Sequence, residues 1–513
     1  MERLNGALIK KGALPASVLG PAAAWDSLPV KIVQFGTGVL LRGLPDYFVD
    51  KANRQGVFNG RIVVVKSTGS GKTVGFDEQD GLYTLCVKGI ADSMEIEEYQ
   101  VNAAIKEVLN ASDKWDEILH YATDKNIEVI VSNTTEVGIT LDKHDSIFHH
   151  PPQSFPGKLL AFLYKRYQHF GNDPHAGLVI LPTELISDNG KKLKDIVMQL
   201  AEKEQLDEAF IAWLTDTNEF CNTLVDRIVP GKLPYNEHQA IEQQLGYHDE
   251  LLIMAEPFRL WAIEAKNAKV AEVLTFSSVD EGMVIAPDIH KFKELKLRLL
   301  NGTHTLTCGL AVLAGFETVK EAMADPFMES FIRNLLLQEI VPAIVSEQIG
   351  LAEATDFAER VLDRFRNRSL EHKWINITLN YTSKMEMRNV ALLKRSIELF
   401  GRVPDGMALG FAAYLLFMKG KRSIDHTFRG YIPERGYYPI NDGHAEWFEG
   451  VWHHGNPKEV VRTVLNEQPL WKGKLSALPG FEEQVTSYLT SLMTMGAGAV
   501  IEKWLINKQT QTI

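Results

Sequence analysis

Three cysteines in 513 residues, Cys86, Cys221 and Cys308, are too few and too scattered for a disulfide framework, and no CxxC pair offers structural zinc. Basic charge is short as well. The 54 lysines and arginines stand against 66 aspartates and glutamates, a formal net charge of -12. A phosphate backbone needs a basic footprint, so nucleic acid is not the expected partner. An anionic ligand would have to be met by local cations, not by the overall field. No run of about 18 apolar residues occurs, which argues against a membrane-spanning helix. The N-terminal stretch MERLNGALIKKGALP has no long apolar run and no clear cleavage site, so no signal peptide is expected and a cytoplasmic setting is the default. Walker A and GxSxG patterns are missing, as are internal repeats and low-complexity tracts. What remains is an ordinary globular composition, 45% hydrophobic and 23% charged, long enough for two or three domains.

After a lead-in over residues 1–29, Val30-Lys31-Ile32-Val33-Gln34-Phe35 reads as a strand ending in Gly36-Thr37-Gly38. A helix-like run follows from Val39 to Ala52. Strand, glycine turn and helix open a dinucleotide-binding unit. Further strands are expected at 61–65, 82–87, 128–131, 177–181 and 273–276, and helices near 101–109, 113–124, 156–169, 191–204 and 207–215. This alternation predicts a mostly parallel sheet covered on both faces. Beyond residue 286 helical periodicity dominates, over 290–314, 327–345, 352–366, 383–400, 404–418, 456–466, 479–493 and 497–506. Residues 420–450, rich in glycine, proline and aromatics, read as a long irregular segment. The expected division is therefore an α/β domain over 1–285 and a mainly helical domain over 286–513.

Gly36-Thr37-Gly38 is a partial nucleotide-binding fingerprint, with Leu41 where the third glycine would stand. The two glycines allow a tight turn and a close approach of backbone to pyrophosphate. The second strand ends in Lys66-Ser67-Thr68-Gly69, with no acid for the ribose hydroxyls. Lys66 could serve a 2′-phosphate, so the residues alone leave NAD and NADP open. Glu184 stands at a strand end beside the Asn189-Gly190 turn, where open α/β sheets place ligands; a capping or surface acid is the plainer alternative. The adjacent Asp226-Arg227 usually signals structure. His149-His150 read as a solvated loop pair. His304 and Cys308, four apart, are half of a metal site with no further ligands at matching spacing.

The stretch Lys296-Leu297-Arg298-Leu299-Leu300-Asn301-Gly302-Thr303-His304 sets an amine, an amide and an imidazole into apolar cover. On a regular helix of about 100° per residue, His304 lies roughly 80° and Asn301 roughly 140° round from Lys296. Lysine is rarely buried without a partner or a purpose. The bland reading is a lysine that snorkels to water beside a satisfied core histidine. Further on, Arg364-Phe365-Arg366-Asn367 and His372 form a polar cluster, and Lys384 with Arg388 puts two cations on one helical face. That pair is a solvated face or, if it looks into a cleft, a carboxylate clamp.

These motifs resemble the polyol-specific long-chain dehydrogenases, the mannitol dehydrogenase family. The matching elements are Gly36-x-Gly38 with Arg42, Thr135-Glu136-x-Gly138, Val225-Asp226-Arg227-Ile228, Glu256-Pro257-Phe258, Lys296-x4-Asn301-x2-His304, Arg364-Phe365-x-Asn367 and Lys384-x3-Arg388. They occur in family order across roughly residues 30–450. Segments such as Ile32–Gly36, Ser132–Glu136, Glu184-Leu185-Ile186 and Leu245–Asp249 are similar to the hexuronate-reducing branch. Other branches usually carry an asparagine where Glu184 aligns, so a second oxyanion-binding amide is not carried over. The resemblance implies a Rossmann-type domain followed by a helical one, and metal-independent hydride transfer between NAD and a ketone of a hexuronate, giving an aldonate. It places the cofactor on Ile32, Val33, Gln34, Phe35, Gly36, Thr37, Gly38, Val39, Leu40, Leu41, Arg42, Gly43, Lys66, Thr135 and Glu136. It makes Lys296 the proton donor and acceptor, Asn301 the amide on the oxygen and His304 the partner of a neighbouring hydroxyl, with Glu184, His372, Lys384 and Arg388 at the substrate. An amine in that role needs its proton affinity lowered, which partial burial in an apolar helix can do. A fructuronate, mannitol or fructose enzyme of the same family, or a nucleotide-binding sensor on the same fold, is the alternative. The oligomeric state stays open, a monomer included.

Overall fold

The computed structural model describes residues 1–67, 73–134, 138–433 and 435–511. It divides into two compact units, Met1–Gly89 with Met94–Ile289, and Ile90–Ser93 with His290–Ile513.

In the first unit, β1 (Val30–Phe35) is followed by α1 (Val39–Gly43), α2 (Pro45–Arg54), β2 (Arg61–Lys66), β3 (Ile105–Asn110), β4 (Val129–Ser132), α3 (Phe155–Phe170), β5 (Val179–Pro182), α4 (Asn189–Lys203), α5 (Glu208–Thr217) and β6 (Glu219–Phe220). The six strands form one parallel sheet in the order β6-β5-β4-β1-β2-β3. Alternate residues feed two cores. Val33, Phe35, Val63, Val65 and Ile130 pack with Leu159 and Phe162 of α3 on one face. Ile32, Val64, Val129 and Val131 pack with Phe48 of α2 on the other. Burial on both faces is why the central strands read as near-continuous apolar runs. The order reverses between β1 and β4, and the crevice outside the strand ends at such a reversal is where open α/β sheets bind ligands. The lead-in is stitched on, with Glu2–Arg3 pairing Tyr247–His248 and Val18–Leu19 pairing Tyr99–Gln100.

Several elements differ from the sequence reading. Residues 101–109 are not a helix; they end the strand Met94–Asn102 and form β3, whose Ile105, Val108 and Leu109 are buried at the sheet edge. The run 39–52 is two helices broken at Leu44 (φ -132, ψ -75), because a residue before proline avoids the α region. Residues 273–276 are not a strand. Asn267 caps the helix Ala268–Val273, a 3₁₀ turn Thr275–Val279 follows, and Leu274 and Phe276 fill the core from there. Residues 420–450 are ordered as the antiparallel strands Gly420–Arg422, Phe428–Ile432 and Gly436–Ile440, then a helix Ala445–His454. Gly430 lies directly under the Tyr438 ring there, where a Cβ would sit 2.1 Å from the ring.

The second unit is mainly helical. Its α10 (Asp405–Phe417) is buried on nearly every face and serves as the central rod. The helical runs expected over 290–314, 327–345 and 383–400 are present, but none is regular. Each passes through a π-helical stretch, Lys296–Gly302, Leu335–Ile340 and Glu386–Val390, before returning to α winding. The first leads into α6 (Thr303–Ala314). The third joins α8 (Tyr381–Met385) to α9 (Ala391–Phe400). Between them runs α7 (Leu351–Arg366). Wide i→i+5 turns inside α-helices are frequent at functional sites.

Candidate active site

At the nucleotide end of the first unit, β1 hands over to Gly36, whose φ of +126 suits glycine. A Cβ there would lie 2.6 Å from the Asn133 carbonyl, just past β4. Gly38 caps α1 with φ -63, and among the described residues nothing but the adjoining chain lies within 4 Å of where its Cβ would be. The backbone is thus exposed on that side, as a closely approaching pyrophosphate requires, so the residues fit a dinucleotide. Thr37, Val39 and Leu40 are half-buried around it. Leu41 is fully buried and reaches back towards Gly36, filling the space that a third glycine would have left for helix–strand packing. Ile32, Val33 and Phe35 are core residues, and Gln34 is buried among them.

Arg42 is spent on the protein itself. Its guanidinium donates to the Leu251 carbonyl at 2.6 Å and lies over Tyr83, 5.3 Å from the ring centre. Burial holds its pKa below the usual arginine value. Gly43 packs on Val229, and its carbonyl accepts from Arg227 at 2.6 Å. That bond, with a second to the Glu256 carbonyl, gives Arg227 its structural role. Lys66 closes β2 and is 7% exposed. Thr135 and Glu136 lie outside the described residues. Glu184 is neither a surface acid nor an open ligand. It is buried, and its carboxylate accepts from Ser132 Oγ (3.1 Å), Thr134 N (2.9 Å) and Thr134 Oγ1 (3.0 Å), tying down the loop after β4. Asn189, overlooked in the sequence except as a turn residue, donates to the Pro182, Glu184 and Thr223 carbonyls and accepts from Thr223 N at 2.9 Å.

The second unit gathers the remaining candidates. Lys296 opens the first π stretch and is half-buried. The wider winding turns fewer degrees per residue, so Asn301, five residues on, lies closer to the face of Lys296 than the 140° of an α-helix allows. His304 follows on α6, 7% exposed. Its ring stacks on Phe365 of α7, with centroids 4.2 Å apart and planes at 14°. His372 and Trp374 meet it edge-on at 5.1 and 5.9 Å. Its Nε2 is buried with no hydrogen-bond partner among the described residues. Burial, then the neighbouring His372, Arg364, Arg388 and Lys384, hold the His304 pKa far below the ordinary histidine value. The imidazole is therefore neutral at neutral pH and can donate or accept at Nε2.

Cations cluster around that ring. Burial and then Arg364 and Lys384 depress His372. Burial and Arg388 depress Lys384, whose Nζ donates to the Ile377 carbonyl at 3.0 Å. Arg388 is half-buried, its pKa lowered by burial. Its Nη1 reaches Thr305 Oγ1 at 3.0 Å and the Asn301 carbonyl at 3.4 Å. Asn301, His304, His372, Lys384 and Arg388 are thus brought into one neighbourhood, with Phe365 an addition that its place in the Arg364–Asn367 cluster could have signalled. Glu184 belongs to the other unit. Cys308 is a buried thiol pushed up to about 12 by burial, which suits a core residue. No group of three or more histidine, cysteine or acidic residues poised for a metal occurs among the described residues.

Residues 30–275 match the mannitol dehydrogenase Rossmann domain, and residues 288–493 match the mannitol dehydrogenase C-terminal domain. The chain is an oxidoreductase acting on CH–OH groups, a polyol or sugar-acid dehydrogenase. It belongs to the mannitol dehydrogenase family. Among its relatives are the altronate oxidoreductase of Bacillus subtilis (strain 168), 35% identical over 484 residues covering 94% of this chain and 96% of the relative, and that of Pectobacterium carotovorum subsp. carotovorum (strain PC1), 36% identical over 483 residues, 92% and 96%. The fold is similar to a D-sorbitol dehydrogenase in substrate-free form, with TM-score 0.81 at 21% identity over 97% of this chain and 100% of that one. It is also similar to Pseudomonas fluorescens mannitol 2-dehydrogenase in ternary complex with NAD and D-mannitol, with TM-score 0.67 at 21% identity, covering 98% and 99%. No helix among the described residues is long and apolar enough to cross a membrane.

Proposed function

We propose that the chain interconverts D-tagaturonate and D-altronate by NAD-linked hydride transfer, in the hexuronate catabolism of the cytoplasm. The first unit serves as the cofactor-binding domain and the second as the substrate domain. One observation carries the reading: a buried, neutral His304 with an unfilled Nε2 sits among His372, Arg364, Lys384 and Arg388. Lys384 and Arg388 are cations placed where they would meet a carboxylate. The name shared by the relatives points the same way.

Gly36 and Gly38 would hold the pyrophosphate of NAD, which when bound would supply or accept the hydride. The chain's own residues manage the proton and the charge. In reduction, Lys296 gives a proton to the ketone oxygen as the carbon takes the hydride, so C=O becomes CH–OH. In oxidation it takes that proton back. Asn301 donates its amide N–H to the same oxygen as negative charge develops there. His304 bonds a neighbouring hydroxyl through Nε2, held in plane by Phe365. Lys384 and Arg388 hold the carboxylate, with His372 beside them. Glu184 acts indirectly, by fixing the loop Ser132–Thr134.

The test is NADH oxidation with tagaturonate, fructuronate and fructose in turn. Tagaturonate is expected to give the highest kcat/KM by at least about tenfold, the scale of one well-made charged contact. Lys296→Ala is expected to lose turnover while still binding NADH. Substantial activity in Lys296→Ala would refute the proton-transfer role, and a preference for fructose would refute the acid substrate.

A further inference from the structure

The two π stretches that carry site residues grip each other through a reciprocal pair of arginines. Arg298, in the stretch Lys296–Gly302, donates through Nη1 to the carbonyls of Met387 (3.0 Å) and Arg388 (2.6 Å). Arg388, in the stretch Glu386–Val390, donates back through Nη1 to Thr305 Oγ1 and the Asn301 carbonyl. Thr305 closes the loop, its hydroxyl giving its proton to the Asn301 carbonyl at 2.8 Å. Glu294 fixes Arg298 from behind, accepting from Nε at 3.0 Å, and the Arg298 side chain is only 13% exposed. Gly302 permits the approach: a Cβ there would lie 2.9 Å from Asn389 Oδ1.

We infer that Arg298 is a positioning residue, setting the spacing between the segment of Lys296 and Asn301 and the segment of Arg388. The inference rests on the roles given to those three residues above. The hydrogen bonds of the Arg298 guanidinium run to two backbone carbonyls and Glu294 and to none of the groups assigned to the substrate. It acts through geometry, and a misplacement of about 1 Å can cost on the order of a hundredfold in rate. The brace also explains why π winding is tolerable here, since a carbonyl has two lone pairs and a guanidinium can take up those that irregular winding leaves poorly used. Behind Arg298 lies a cavity of about 520 Å³, lined among others by His290, Glu294, Ile344, Leu392 and Arg395. It reaches the surface at the exposed His290 and Arg395. A small planar cation could enter there once the side chain is gone.

That cavity makes the test specific. Arg298→Ala in the full-length protein is expected to lower kcat/KM for the sugar or sugar acid that the wild type turns over best by at least about tenfold, with NADH affinity within about twofold. Guanidinium chloride at on the order of 50 mM, far below the molar range that unfolds proteins, is expected to restore part of the lost rate. Unchanged kcat/KM, an equal loss of NADH affinity, or a loss that guanidinium leaves untouched would overturn the inference. If Arg298→Ala does not fold, Thr305→Val tests the return strut. It is expected to raise KM by about fivefold with NADH affinity kept, and an unchanged KM overturns the inference. Lys296→Ala, measured alongside, separates the two claims: an active Lys296→Ala protein defeats the functional reading, whatever Arg298 does.

Discussion

Asp46 on α2 is a carboxyl group with no exposure, its nearest polar neighbour the equally buried Gln34 amide. Burial pushes its pKa up to about 8, against the pull of nearby Arg42. Because the folded value lies above the unfolded one, the folded protein holds a proton that the unfolded chain gives up above about pH 4. Stability attributable to this group therefore falls as pH rises from about 4 to about 8. Asp46→Asn, close to an isostere of the protonated acid, is expected to raise the melting temperature relative to wild type more at pH 8 than at pH 5. An equal shift at both would mean that Asp46 ionises as easily in the fold as outside it. His304 has the opposite linkage. Its folded pKa is depressed, so the unfolded chain gains a proton below about pH 6.5 that the fold refuses, and stability is lost on acidification through that window. The fold accepts that cost at His304, the imidazole proposed above to bond a substrate hydroxyl.

The turn between β1 and α1 separates two jobs that glycine can do. Gly36 is needed for the fold itself, since its φ of +126 and the Asn133 carbonyl both exclude a side chain. Gly38 has an ordinary φ of -63 and open space around it. Gly36→Ala is expected to cost roughly 1–3 kcal/mol of stability, the usual scale of a strained backbone position. Gly38→Ala should melt like wild type yet bind NADH more weakly, because its methyl would stand where pyrophosphate approaches. Melting curves and NADH fluorescence titrations check both, and full NADH affinity in Gly38→Ala would move the pyrophosphate elsewhere. The strand and the glycines of this turn were legible in the sequence because a two-face buried strand and a GxG turn leave local marks. β3 was not, since the apolar run at an edge strand looks the same as one side of a helix. The π stretches were invisible for a deeper reason. Lys296, Asn301 and His304 could be picked out, but their relation was drawn on an α-helix. The two stretches are held against each other by Arg298 and Arg388, 90 positions apart, a contact no local pattern announces. The surroundings of Glu184 were hidden in the same way: its partners Ser132 and Thr134 come from another strand end.

Over the whole molecule, a net charge of -12 contrasts with the cations Arg364, Lys384 and Arg388 near His304. The two act on an anionic substrate at different ranges. Lys384 and Arg388 would act within contact distance and half-buried, where salt screens little, while the dispersed surface acids repel across solvent. Raising the salt concentration shortens the screening length from about 30 Å at 0.01 M to about 8 Å at 0.15 M, so the long-range repulsion is removed first. With NADH saturating, kcat/KM for tagaturonate is expected to rise by about twofold over that range, while an uncharged ketose shows no trend. A fall with salt for tagaturonate would mean that the cationic neighbourhood already governs the approach of the substrate. In that case Arg388→Ala should flatten the dependence, because it deletes one of the charges that salt would then be screening.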